Sequence, residues 1–174
     1  MKKTIIALVA IFTLAGLTST AQKGSKYLIG SVSYEKSTGS DAVYSLSPKV
    51  GYYLTNKSSL GVFGTIGESA DGSTTSVGVF GRNDFMKVGK NCIVFAEAAL
   101  ASNSTKTAGV KASSFEANVG LGANYILNSK WGLTMNLANV INYVSADGNS
   151  TTTIGFGGVN NPFATANFGL FYQF

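Results

Sequence analysis

Glu97 and Glu116 are the residues of this chain whose type and placement could do chemistry. Two carboxylates held close together do not both ionise easily, so one can act as an acid while its neighbour acts as a base. Lys49, Arg82 and Asp84 are the charges that could join them. The same five residues also have a structural use, because charges inside a protein are tolerated when they are paired. Nothing else in the chain completes a catalytic set. With no His in the sequence, His-based metal sites and a His general base are unavailable. The single Cys92 excludes an intramolecular disulfide framework and reads as an apolar strand residue. The segments Ser69 to Ser73 and Ala146 to Asn149 offer a few oxygen ligands, but neither approaches a twelve-residue calcium loop. Gly155 to Gly158 lacks the Lys of a phosphate loop. No cofactor, no metal and no enzymatic activity are expected, and the charge cluster is expected to be structural.

The elements that must position these charges are strands. Phe115, Ala117, Val119, Leu121, Ala123, Tyr125 and Leu127 alternate with Glu116, Asn118, Gly120, Gly122 and Asn124, the period-two pattern of a strand with one apolar and one polar face. The same pattern predicts strands at Lys26 to Glu35, Ala42 to Leu54, Ser59 to Gly67, Thr74 to Met86, Cys92 to Ser102 and Trp131 to Tyr143. The chain closes with an eighth strand, Phe168 to Phe174, in which Phe168, Leu170, Tyr172 and Phe174 share one face. By parity Lys49, Arg82, Asp84, Glu97 and Glu116 all fall on the faces opposite the large aliphatic residues. Reflection about the Lys87 to Asn91 turn brings Arg82 near Glu97, and reflection about the next connection brings Glu97 near Glu116. Arg82 is therefore expected to bridge both carboxylates.

Composition agrees with an all-β chain. Hydrophobic residues make up 45% of it, with 21 Gly and only 2 Pro, yet beyond the first residues no apolar run approaches the roughly 20 residues of a membrane helix. Met1 to Ala21 combines Lys2 and Lys3, an apolar run from Ile5 to Leu17, and small residues at Ser19 and Ala21, as expected for a signal peptide that is cleaved. Residues 22–174 then form one domain. The formal charge of +5 includes Lys2 and Lys3, and the remaining charges form no basic run, which argues against nucleic-acid binding.

Tight connections at Thr55 to Ser58, Lys87 to Asn91 and Asn128 to Lys130 alternate with longer ones at Lys36 to Asp41, Glu68 to Ser73, Asn103 to Ala112 and Ala146 to Asn161. Short turns at one end and longer loops at the other are the habit of membrane barrels. Tyr52, Phe85, Tyr125, Trp131 and Phe174 sit beside the tight turns, where amphipathic rings would meet a membrane interface. Gly51 to Leu60 and Ala123 to Leu133 repeat one another weakly as strand, polar turn, strand.

With its export signal and terminal aromatic strand, the chain resembles the small bacterial outer-membrane β-barrel proteins, some of which carry a porin-like description. The resemblance covers the mature chain through strand number, hairpin pattern and last strand. It implies an eight-stranded antiparallel up-and-down transmembrane barrel in the outer membrane of the Gram-negative cell envelope, in contact with outer-membrane lipid. It also implies that the barrel assembly machinery reads Phe168, Leu170, Tyr172 and Phe174. Small barrel enzymes of that kind use a His with a Ser, which this chain lacks.

Three roles follow for such a chain. The first is a non-enzymatic barrel whose external loops, Ala146 to Phe163 above all, make surface contacts, with an extracellular partner that the sequence does not identify. The second is a narrow conduit for small or apolar solutes, although water-filled channels belong to barrels of about 16 strands or more. The third is a secreted lipocalin-like binder with its apolar faces turned inward. Charged residues at 12% of the chain are few for the exterior of a soluble barrel.

Overall fold

The computed structural model describes residues 23–35, 43–69, 72–146, 149–154 and 167–174. The expected signal peptide, the connection at 36–41 and most of the connection at 146–161 lie outside the described residues. Nine strands are present among the described residues: β1 (Lys26–Glu35), β2 (Val43–Tyr53), β3 (Ser58–Ser69), β4 (Gly72–Val88), β5 (Cys92–Thr107), β6 (Val110–Ile126), β7 (Trp131–Ala146), β8 (Asn149–Ile154) and β9 (Asn167–Gln173).

Each strand from β1 to β7 pairs antiparallel with the next, and β9 pairs with both β1 and β7, so the sheet closes on itself. Closure matters because a free sheet edge would leave backbone donors and acceptors unpaired in hydrocarbon. The two ends of the chain fasten each other: Phe174 donates its backbone N–H to the Lys26 carbonyl (3.0 Å) and Lys26 returns one to Phe174 (3.2 Å). β9 covers Trp131 to Asn136 of β7, while β8 covers Ile141 to Ala146 of the same strand. β8 and β9 thus form the eighth stave in two pieces, where the sequence predicts only the second.

Period-two alternation decides which way each side chain points. Val62, Val79, Leu100, Leu133 and Leu170 stand on the outside and remain exposed, whereas Tyr27, Ile29, Phe80, Phe95 and Phe171 are buried in the lumen. The lipocalin-like expectation is therefore overturned, because it needs the large aliphatic residues inside. They form instead an exterior apolar belt far beyond the isolated patches of a soluble monomer.

Three of the lumen rings fit because they lie against a glycine of the neighbouring strand. Tyr27 is paired with Gly51, Phe80 with Gly61 and Phe95 with Gly122. A Cβ built on any of these glycines would overlap the opposing ring.

Several local features depart from the simple pattern. The connection expected at Glu68 to Ser73 is shorter than that, because β3 and β4 stay paired through Ser69 and Gly72. Asn103 to Ala112 is not a loop: β5 and β6 remain paired as far as Thr107 and Val110, joined through Ala108 and Gly109, both at positive φ (48° and 85°). That geometry is the two-residue turn whose twist matches paired strands. β4 to β7 reach 16 or 17 residues, against the roughly 9–11 that cross a bilayer. Their Ser- and Thr-rich ends consequently stand beyond the apolar belt. In addition, Phe85 is inserted as a bulge between Asp84 and Met86. An extra residue reverses the alternation after it, so Lys87 pairs with Ile93 and joins the lining of the lumen.

Candidate functional site

Halfway along the lumen the chain builds an ion-paired floor. Register places Arg82 on β4 directly opposite Glu97 on β5. Arg82 donates from Nε (3.0 Å) and Nη2 (2.6 Å) to Oε2 of Glu97. Lys49 of β2 reaches across the barrel to the other carboxylate oxygen, Oε1, at 2.5 Å. The side chains are nearly withdrawn from solvent, with relative exposures of 1% for Arg82, 9% for Glu97 and 15% for Lys49.

Aromatic rings complete the floor. The Arg82 guanidinium lies 3.7 Å from the centroid of Phe95, and Lys49 Nζ lies 5.3 Å from that of Phe80, distances at which the negative face of a ring attracts a cation. Tyr53 donates its hydroxyl to Asp84 Oδ2 (2.9 Å), and Tyr27 shares a hydrogen bond with Ser59 (2.8 Å).

Four of the five charges expected in the lumen therefore form or adjoin this floor: Lys49, Arg82 and Glu97 directly, and Asp84 through Tyr53. Glu116 stands apart. Glu97 is opposite Gly120, while Glu116 is opposite Ala101 and accepts from Asn103 Nδ2 (3.1 Å). The expected bridge from Arg82 to both carboxylates is not formed, because the β5–β6 turn sits at Ala108 and Gly109 and sets a register that separates the two. Lys49 takes the place expected for the second partner. Its role required knowing that β2 faces β5 across a closed barrel, which no local pattern encodes. Tyr27 and Tyr53 were legible only as inward-facing aromatics by parity.

A cavity of about 350 Å³ lies on the loop side of the floor, lined by Ser47, Thr65, Asn118, Asn136 and Asn139 together with Lys49 and Glu97. A second, of about 380 Å³, opens toward the short turns. Among the described residues no group of three or more Asp, Glu or Cys forms a metal cluster.

A charged lumen inside an apolar exterior, closed where β9 joins β1 to β7, defines an eight-stranded transmembrane β-barrel. No protein-family model and no curated relative matches the chain. Among solved structures, it is similar to the N-terminal β-barrel domain of Pseudomonas aeruginosa OprF, with a TM-score of 0.60 at 13% identity, covering 89% of this chain and 100% of that one. Neisserial surface protein A gives a TM-score of 0.47 at 16% identity, covering 86% of this chain and 92% of that one. The fold is that of the small outer-membrane barrels.

Proposed function

We propose that the chain is a non-enzymatic integral protein of the bacterial outer membrane that acts at its surface and does not conduct. In this reading the short turns and both chain ends face the periplasm, and the long strand ends of β4 to β7 stand outside with the external loops. The observation that carries it is the floor: Glu97, gripped by Arg82 and Lys49 and walled by Phe80 and Phe95, fills the middle of the lumen. An eight-stranded barrel has an interior just wide enough for side chains to fill. The non-enzymatic part of the proposal is supported by the absence of His and by the separation of Glu97 from Glu116. Outer-membrane lipid covers the belt, and the assembly machinery recognises Phe168, Leu170, Tyr172 and Phe174.

Two experiments test it. Wild-type protein in a planar bilayer should show no discrete conductance steps. Exchange of residues 155–161 for an unrelated loop, with β8 kept, should change a surface phenotype, binding or envelope integrity. A silent exchange would remove the case for a surface role.

The two cavities favour a second reading, a narrow conduit closed at the floor. Discrete steps in the wild type that grow larger when Arg82 is replaced by a smaller neutral residue would favour it over the first.

A further inference from the structure

The cavity at the short-turn end has a composition that the floor does not explain. Apolar Ile93, Ile126 and Phe171 share its wall with Tyr53, Asn124 and Gln173, and Lys87, Lys90 and Lys130 also line it. No carboxylate lines it. The acid nearest by strand position, Asp84, is buried and engaged by the Tyr53 hydroxyl. Among the described residues the remaining acidic side chains outside the floor, Glu35, Glu68 and Glu116, lie in the loop-side parts of their strands.

Lys87 joins this cavity only through the Phe85 bulge. A second observation points to an occupant. Asn124 lines the same cavity and is 1% exposed, and its buried Oδ1 has no hydrogen-bond partner in the protein. A buried acceptor left unsatisfied costs free energy, so it calls for a donor from something within the cavity.

We infer that this vestibule is a binding site for a small oxyanion carrying an O–H or N–H donor beside its charge, of which hydrogen phosphate is the simplest. The three ammonium groups supply the attraction for the charge, and the donor satisfies Asn124. The ligand comes from the aqueous side. Met86, Val88 and Tyr125 lie on the outer face of the strands that form the wall, which separates the cavity from lipid headgroups.

The test is a titration of the full mature chain, folded in an uncharged detergent, with inorganic phosphate at constant ionic strength, followed by the backbone amide resonances of Asn91, Asn124 and Asn128. These should shift and saturate. K87Q/K130Q should weaken the apparent Kd by about tenfold or more. K23Q/K57Q removes equal charge from the same end, outside the cavity, and should weaken it by about twofold at most, since exposed charges are screened.

Shifts that fail to saturate, that chloride reproduces, or that both double variants weaken equally would overturn the site. So would shifts caused by phosphatidylglycerol in the micelle but not by phosphate, which would move the anion to the outer surface. N124L should abolish saturation. Should it fail to fold, the paired Lys variants decide the matter alone, because both positions are at the barrel mouth.

Discussion

Arg82 gives two N–H groups to one oxygen of Glu97, leaving the other oxygen for Lys49. One carboxylate thus answers two cations from different sides of the barrel. Glu97→Gln would remove the one carboxylate that both cations bind. Removing one member of a buried ion pair costs about 3–5 kcal/mol, to be read as a lower urea midpoint of the protein folded in lipid vesicles. Glu116→Gln, whose hydrogen-bond partner is the neutral Asn103, should cost about 1 kcal/mol or less. Equal losses in the two variants would show that the floor is not the seat of the stability.

Tyr27 and Gly51 form a ring-on-glycine pair that offers a cleaner test of packing. Gly51→Ala should destabilise by about 1–3 kcal/mol, as overpacking does. Combined with Tyr27→Ala, which empties the space the new methyl needs, its penalty should shrink. The coupling would appear in a double-mutant cycle as a deviation from additivity of about 0.5–3 kcal/mol. Additive losses would mean that the ring does not set the need for glycine.

The apolar belt predicts a depth dependence. Val79 is exposed on the outer face of β4, and Ser73 lies six residues nearer the loop end of the same strand. Val79→Arg should cost about 2–4 kcal/mol in vesicle-folded protein, and Ser73→Arg about 0–1 kcal/mol. The unboiled wild type should also migrate differently from the boiled sample on a gel in mild detergent. A soluble fold would make the two substitutions alike and the gel bands coincide.

If the assembly machinery reads the last strand as proposed, a change at Phe174 should separate folding from recognition. Its ring lies 5.8 Å from that of Tyr172, while its backbone closes the barrel against Lys26. Phe174→Ala keeps the backbone bonds, so refolding in detergent should be nearly unchanged while the amount reaching the outer membrane in cells falls. A parallel loss in both assays would assign Phe174 a structural role alone.

Much of this fold was legible from one residue type following another. Alternation from Phe115 to Leu127 determined a strand and which of its faces is apolar. Parity likewise placed Arg82, Glu97 and Lys49 on the polar face. Those properties are local: side chains of a strand point to opposite sides whatever the rest of the chain does.

What the alternation could not determine was register beyond the nearest turn, or contact across the lumen. The β5–β6 turn at Ala108 and Gly109 separated Glu116 from Glu97, and the bulge at Phe85 turned Lys87 inward. Only closure of the barrel brought Lys49 to Glu97 and gathered Lys87, Lys90 and Lys130 around Asn124. These depend on one-residue shifts and on strands distant in sequence meeting across a lumen. A one-residue shift reverses every side chain beyond it, and the hydrophobic pattern of a single strand carries no record of what stands opposite.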